Sequence, residues 1–236
     1  MYKLFLVLAL LSNAILAQTN DEKHLKNIQQ LTYGGDNAEA YFSFDNQFLS
    51  FQSNNKKWGL NCDQIFNLDI SKASKDTIYK PSMISTGDGR TTCSYFLKDG
   101  KHILYASTHA SGKDCPAAPE PRKDNKYLWA VYESFDIYIA DLSGKIVSQL
   151  TNSPGYDAEA TVSPKGDKIV FTSTRSGDLE LWTMDIDGKN LKQITSGLGY
   201  DGGAFFSPDG KKIVFRASRP KTEQEISEYK ELLSQG

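Results

Sequence analysis

The 236-residue chain has little net charge, few cysteines and histidines, and no long apolar run beyond its first 17 residues. Its 27 Lys and Arg against 29 Asp and Glu give a net charge of −2, so no basic surface for nucleic acid is expected. No later segment is apolar enough to span a membrane. The three cysteines and three histidines show no CxxC or HxxxH spacing, and we therefore expect no metal or other cofactor.

The chain also lacks a recognisable catalytic motif. No G-x-S-x-G sequence is present, which excludes a serine hydrolase domain of the α/β type within these 236 residues. No motif pairs a nucleophile with a base. We therefore expect a non-catalytic protein without catalytic residues.

The first 17 residues have the composition of a secretory signal peptide. Lys3 precedes an apolar run from Leu4 to Leu11, and small residues lead to a cleavage position near Ala17. An N-terminal membrane tether is the alternative, but the run is short for a spanning helix. We expect residues 1–17 to be removed, residues 18–29 to form a linker, and the mature protein to be periplasmic or secreted.

A repeat with an offset of 44 residues organises the rest of the chain. The segment from Tyr156 to Arg175 recurs as Tyr200 to Arg219, with matching Ser-Pro-x-Gly turns followed by Ile-Val-Phe. Proline and glycine fit the two central conformations of a tight hairpin turn, and the apolar triplet fits a strand covered on both faces. Two weaker copies precede these. A period near 44 with several strands per repeat is typical of β-propeller blades.

The predicted fold class is therefore all-β, a propeller of four-stranded antiparallel blades over residues 30–219, with the fourth blade incomplete. Gln30-Leu31-Thr32 is predicted to be a closing outer strand. Residues 220–236 are predicted to form a short helix that begins at a Thr222/Glu225 capping box. This organisation suggests a C-terminally truncated piece of a six-bladed parent. A complete four-bladed propeller is the alternative.

The repeat motifs also resemble a known family. Ser-Pro-(Asp/Lys)-Gly, Lys-Ile-Val-Phe, Leu-Trp-x-Met-Asp-x-Asp-Gly and Gln-Ile-Thr resemble the WD40-like (PD40) repeats of the TolB-type β-propeller family, over Gln30 to Arg219. The resemblance is strongest over Gln149 to Arg219. It implies a binding platform in the cell envelope whose partner is a protein, a peptide or a glycan.

Candidate binding residues lie in the loops before the first strand and after the second strand of each repeat, which share one propeller face. The long insertion 110–130 in the second repeat breaks the repeat symmetry, as binding loops often do. We predict a binding rim on this face, composed of Asn55, Trp58, His109, Trp129, Asp157, Glu159, Arg175, Asp201 and Arg219.

Three alternatives remain at the level of sequence. The charged rim residues could form ion pairs that join neighbouring blades. The propeller could be the gating domain of a prolyl-oligopeptidase-like serine peptidase whose catalytic domain follows Gly236. It could also be a lyase or glycan-active propeller that uses His109.

The cysteines predict one disulfide bond and one remaining thiol in an oxidising compartment. Cys93 lies in a first strand and Cys115 lies in the insertion. We predict a Cys93–Cys115 bond that holds the insertion to its blade.

Overall fold

Antiparallel β-sheets dominate the computed structural model, which describes residues 23–120, 122 and 128–236. Four sheets follow one another along the chain. Sheet 1 contains β1 (Asn37–Phe42), β2 (Phe48–Ser53), β3 (Gln64–Asp69) and β4 (Ser82–Met83). Sheet 2 contains β5 (Thr91–Phe96), β6 (His102–Ser107), β7 (Asp136–Asp141) and β8 (Ile146–Gln149). Sheet 3 contains β9 (Asp157–Val162), β10 (Lys168–Ser173), β11 (Glu180–Asp185) and β12 (Lys192–Gln193), and sheet 4 contains β13 (Asp201–Phe206) and β14 (Ile213–Ala217).

The predicted tight turns connect the first two strands of the sheets. In sheet 4 the Ser207 hydroxyl donates a 2.6 Å hydrogen bond to Asp209, and Gly210 adopts a φ of 70°. Sheet 1 has the same serine–aspartate bond between Ser43 and Asp45, at 2.6 Å. The recurring turn sequence therefore has a local structural role.

The core lies between neighbouring sheets. Between sheets 2 and 3, Leu104 and Ile137 pack with Ile169 and Phe171, and all four are fully buried. Similar apolar layers join sheet 1 to sheet 2 and sheet 3 to sheet 4. Each sheet therefore packs face to face against the next, as the blades of a propeller do.

Aromatic rings from three first strands meet at a common axis. Tyr41 of β1 lies 5.5 Å from Tyr95 of β5 and 5.6 Å from Phe205 of β13, measured between ring centroids. Tyr95 and Phe205 are 6.4 Å apart. The first strand of a sheet is therefore its innermost strand.

The two helices are short. Helix α1 covers Ile70–Ala73, and helix α2 covers Glu223–Gln235. The predicted capping box is confirmed, because Thr222 and Glu225 hydrogen-bond each other's backbone N–H groups. No helix within the described residues is long and apolar enough to cross a membrane.

The predicted N-terminal strand is not formed. Residues 23–36 contain neither helix nor strand, so Gln30-Leu31-Thr32 has no place in a sheet, and Leu31 instead packs against the apolar cluster of sheet 1. The predicted signal peptide lies outside the described residues.

The outer side of sheet 4 is open. Val214 of β14 is 68% exposed, whereas Val170, its counterpart in the repeat, is fully buried beneath the apolar layer between sheets 3 and 4. Sheet 4 has two strands within the described ranges.

Candidate binding site at the propeller axis

The innermost strand of each sheet has a β-bulge at the same repeat position. Glu39, Cys93, Glu159 and Gly203 adopt positive φ angles of 53°, 49°, 58° and 60°. The register shifts at this position in all four sheets. A left-handed conformation costs roughly 1–2 kcal/mol for a residue with a Cβ atom. A bulge also interrupts the regular alternation of side chains between the two faces of the sheet, so that a side chain points in a new direction.

The bulge side chains of the first three sheets lie near one another. Burial, followed by the negative charges of Glu159 and Glu39, raises the pKa of the Cys93 thiol well above its usual range. Cys93 therefore remains a neutral thiol, with its sulfur 3.2 Å from the Thr92 hydroxyl. A thiol in this state is a poor nucleophile.

Glu159 is the centre of a hydrogen-bond network that joins sheets 3 and 4. Its Oε2 atom accepts bonds of 2.7 Å from the Tyr200 hydroxyl and 2.6 Å from the Gly203 N–H group. The hydroxyls of Tyr156 and Thr172 donate to the same carboxylate, at 3.1 and 3.3 Å. A carboxylate with four donors has a fixed orientation, and it fixes the position of the Tyr200 ring in turn.

An arginine and a tryptophan complete the site around Tyr200. The Arg216 guanidinium lies 5.3 Å from the Tyr200 ring centroid and 5.7 Å from that of Trp129. Trp129 contacts Tyr200 edge-on, with 5.4 Å between the centroids. The insertion of sheet 2 thus reaches sheet 4, and Trp129 remains 41% exposed there.

Glu39 adds a second carboxylate on the sheet 1 side. The Tyr41 hydroxyl donates a 2.5 Å hydrogen bond to Glu39, and burial together with this bond raises the pKa of Tyr41. The hydrogen bond that Arg216 donates to the Tyr200 hydroxyl and, to a smaller extent, the charges of Glu159 and Glu39 raise the pKa of Arg216. We call the set Glu39, Cys93, Trp129, Glu159, Tyr200 and Arg216 the axial site.

The axial site has the chemistry of a recognition surface. Arg216 offers charged donors next to an exposed aromatic ring, and Glu39 offers an exposed acceptor. Such a combination binds a ligand that brings an anionic group together with an apolar or ring surface. Within the described residues, no group of three or more His, Cys, Asp or Glu side chains is placed to hold a metal ion.

The predicted rim charges form ion pairs within single sheets. Arg175 binds both carboxylate oxygens of Asp157, at 2.7 and 2.8 Å, and Arg219 binds Asp201 at 2.6 Å. Each pair joins the start of a first strand to the end of the second strand in the same sheet. These arginines therefore hold their own blades together, and the expectation of ion pairs between blades is wrong for them.

Three other predicted rim residues make contacts within their own loop or sheet. Asn55 caps a 3₁₀ turn by accepting a 3.1 Å bond from the backbone N–H of Lys57. Trp58 packs on Phe66 at 5.0 Å, within the apolar cluster of sheet 1. The His109 ring contacts the Tyr138 ring at a tilt of 44°, with 4.3 Å between the centroids. The structure therefore brings only Trp129 and Glu159, of the nine predicted residues, into the axial site.

The three cysteines are free thiols in this structure, and their arrangement differs from the prediction. Cys93 lies in the axial site, where its thiol is close to Glu159 and Glu39. Cys115 and Cys62 instead lie beside the same loop, where Arg90 bonds to Cys115 and Cys62 bonds to Gly89. A Cys93–Cys115 bond is therefore not supported.

A groove of about 640 Å³ lies between α2 and the loops of sheet 3. Val131, Pro154, Arg175, Tyr229 and Leu233 are among the residues that line it. Leu233 also packs against the cluster that contains Tyr156 and Tyr200. The groove and the axial site therefore share supporting residues.

Two members of the axial site, Tyr200 and Arg216, had no binding role in the sequence-based prediction, and Cys93 was predicted only as a disulfide cysteine. The repeat contained a signal for Arg216, because its counterpart 44 residues earlier is the uncharged Thr172. The bulge positions also align across the repeats, but their left-handed backbone is not visible in the sequence.

Comparisons with known proteins agree with the fold. The TolB beta propeller domain family matches residues 118–231. The Tol-Pal system protein TolB of Bordetella pertussis is 29% identical over 128 residues, which cover 49% of this chain and 29% of that protein. The chain therefore spans less than a third of the length of this curated relative. The resemblance read from the repeat motifs is confirmed.

Solved structures show the same architecture. TolB from Acinetobacter baumannii matches with a TM-score of 0.54 and 21% identity, over 80% of this chain and 39% of that one. Oligogalacturonate lyase from Vibrio parahaemolyticus matches with a TM-score of 0.55 and 14% identity, over 82% and 50%. At these identities the likeness establishes a β-propeller fold, and the predicted fold class is confirmed.

Proposed function

We propose that this chain, a TolB-type β-propeller protein, is a non-catalytic binding protein of the bacterial cell envelope whose partner docks at the axial site. The observation that carries the proposal is the contact of Trp129 with Tyr200 and Arg216. It brings the one long insertion of the chain to the propeller axis. A long insertion that interrupts a repeat is often a binding loop.

The exposed groups define the chemistry of the partner. Trp129 offers a partly exposed ring, and Arg216 and Glu39 are exposed charges of opposite sign on sheets 4 and 1. Tryptophan and arginine are the residues that most often dominate the energy of protein interfaces. We therefore propose a protein partner that presents an acidic side chain beside an apolar one.

The adjacent groove extends the surface that such a partner could contact. Its polar residues include Glu133 and Lys230, and its apolar residues include Pro154 and Leu198. A groove of mixed character suits an extended peptide segment better than a compact small molecule. The partner is thus proposed to bind with a segment that continues from the axis toward α2.

Export to the envelope is supported by the N-terminal sequence and by the family. Residues 1–17 have the pattern of a signal peptide, and the curated relative is named as a Tol-Pal system protein. N-terminal sequencing of the protein from cells should give Gln18 as the first residue. An N-terminus at Met1 in the mature protein would contradict export through this signal.

The binding proposal is tested by quantitative affinity capture with the full chain. The proteins retained from an envelope fraction are measured for the wild type, for Trp129→Ala and for Arg216→Ala. Lys189→Ala is the matched control, because Lys189 is 77% exposed on an outer turn of sheet 3 and pairs only with Asp187 among the described ion pairs.

We expect at least one protein to be retained roughly ten-fold less by both axial variants and fully by the control, since loss of an interface hot spot costs at least about 1.4 kcal/mol. Identical retention by all four proteins would contradict the proposal.

A further inference from the structure

Two cysteine side chains from different sheets meet beside the loop that leads into β5. Cys62 lies just before β3, and Cys115 lies in the insertion that follows β6. Both sulfurs lie against the same two residues of this loop, because Cys62 bonds to Gly89 and Arg90 bonds to Cys115. The two cysteines are 53 residues apart in the sequence (62 to 115), so their proximity results from the packing of sheet 1 against sheet 2.

Backbone and side-chain bonds hold both thiols at Gly89 and Arg90. Cys62 donates a 2.9 Å bond to the Gly89 carbonyl, and the Gly89 N–H group donates a 2.9 Å bond to the carbonyl of Lys113. Arg90 reaches Cys115, with 3.6 Å between its Nη2 atom and the sulfur. The insertion is therefore already positioned against the Cys62 loop while both thiols are reduced.

The two sulfur atoms have different environments. Cys62 is buried, with 4% of its surface exposed, and burial is the main cause that raises the pKa of its thiol to about 12. Cys115 is partly exposed and lies beside the Arg90 guanidinium. Cys115 is thus the thiol that an external oxidant reaches, and Cys62 is the thiol next to it.

We propose that Cys62 and Cys115 form a disulfide bond when the protein meets an oxidant that carries a disulfide. The Cys115 thiolate attacks the oxidant, forms a mixed disulfide and releases one thiol of the oxidant. Cys62 then loses its proton and attacks the Cys115 sulfur, which releases the second thiol. The two cysteines lose two electrons, the disulfide of the oxidant gains them, and the two protons end on the released thiols.

The bond would connect two parts of the chain that no strand pairing joins. Cys115 lies 14 residues before Trp129 in the same insertion, so the bond would fix the base of the segment that completes the axial site. The proposal does not depend on the proposed function, because it rests on the positions of the two cysteines beside Gly89 and Arg90.

Cys93 is the internal control for this proposal. Its side chain faces Glu159 and Glu39 in the axial site, and no hydrogen bond among the described residues joins it to either of the other cysteines. The three cysteines also lie in separate tryptic peptides, which cover residues 58–72, 91–98 and 114–122. The linkage can therefore be assigned without ambiguity.

The experiment uses the full chain, incubated with oxidised glutathione, alkylated and mapped by mass spectrometry. We expect one free thiol, at Cys93, and one cross-linked pair of peptides, 58–72 with 114–122. If all three cysteines are still alkylated after prolonged incubation with oxidised glutathione, the proposal is overturned. A cross-link that contains residues 91–98 would overturn it as well.

Thermal melting with and without dithiothreitol provides an independent readout. A bond that closes a loop of this size should raise Tm by roughly 5–15 °C, and the reductant should remove the increase. Cys93→Ser should keep the whole shift and Cys115→Ser should lose it. If the buried Cys62→Ser variant does not fold, Cys115→Ser alone decides the outcome, because Cys115 is partly exposed. A shift that Cys115→Ser retains would contradict the bond.

Discussion

The Tyr200 hydroxyl donates a 2.7 Å hydrogen bond to Oε2 of Glu159, and this bond joins the fourth sheet to the third at the propeller axis. The ring of the same tyrosine also contacts the Trp129 ring and the Arg216 guanidinium. A bulge in one sheet therefore positions the recognition groups of another.

Replacing Glu159 by alanine should destabilise the protein and loosen the axial site. The substitution leaves the Tyr156 and Tyr200 hydroxyls and the Gly203 N–H group without their acceptor. We expect the free energy of unfolding to fall by about 2 kcal/mol, the usual cost of buried donors without partners. Urea denaturation measures this change.

Glu39→Ala is the control for that variant, because Glu39 has the same bulge position in sheet 1 but is exposed and has one donor. Its effect should stay below about 1 kcal/mol. Equal losses for the two variants would show that the network around Glu159 has no special importance.

Two adjacent glycines should respond differently to alanine. A Cβ atom on Gly202 would overlap the Tyr200 hydroxyl and Oε2 of Glu159, whereas a Cβ atom on Gly203 would meet open space. Gly202→Ala should therefore separate the hydrogen-bonded pair and weaken partner binding. Gly203→Ala should cost only the backbone strain of its φ of 60°, about 1 kcal/mol, and should leave binding intact.

Thermal melting and the affinity-capture assay distinguish these two outcomes. If Gly203→Ala abolished binding while Gly202→Ala did not, the assignment of Tyr200 and Glu159 to the axial site would be wrong.

The two arginine–aspartate pairs should differ in their effect on stability. Asp157 and Asp201 are both buried, but the Arg175 side chain is 14% exposed and the Arg219 side chain is 42% exposed. Arg175→Ala would leave a buried charge without its partner, and we expect a loss of about 3–5 kcal/mol. Arg219→Ala should cost less, because water can reach the remaining Asp201 more easily.

A double-mutant cycle checks this prediction. The Asp157→Ala/Arg175→Ala variant should recover part of the stability that Arg175→Ala loses, since it contains no unpaired buried carboxylate. No recovery in the double variant would mean that the arginine acts mainly by its packing on Phe171 and Trp182, which its guanidinium contacts at 5.3 and 5.2 Å.

Acidification should destabilise the protein through His109. Burial against Tyr138 lowers the pKa of His109 below 6.5, although the charge of Asp88 opposes the shift. The folded state therefore binds fewer protons than the unfolded state in this range. The stability that neutral His109 contributes to the folded state is fully present above about pH 6.5. It is lost as the pH falls toward the lowered pKa.

The measurement compares the wild type with His109→Gln, because buried carboxyls such as Asp63 and Asp136 have raised pKa values and oppose the trend. The difference in the free energy of unfolding between the two proteins should increase from about pH 5 to about pH 7.5. A difference that decreases over this range would reverse the assigned direction.

The local repeat predicted most of the fold. The Ser-Pro-Asp-Gly turn that ends at Gly210 and the buried strand Ile169-Val170-Phe171 depend on turn geometry and on burial, and both are visible in the residue pattern. The capping box at Thr222 is equally local. These elements were predicted because neighbours in the sequence determine them.

The axial site could be predicted only in part, since it depends on contacts between distant segments. Trp129 was identified by its insertion, but nothing in the sequence indicates that it meets Tyr200 of sheet 4. Cys93 was assigned to a strand correctly, but its left-handed backbone and its proximity to Glu159 and Glu39 are not visible in the sequence.

Site-specific photo-crosslinking in cells shows whether the axial site is the docking surface of the partner. A benzophenone amino acid is placed at position 129 and, as a control, at position 147, where Val147 is 55% exposed on an outer strand of the same sheet. If the partner docks at the axial site, position 129 gives a discrete protein adduct, Gly202→Ala removes this adduct, and position 147 gives no such adduct. Adducts from position 147 alone, or an adduct from position 129 that Gly202→Ala leaves unchanged, would contradict it.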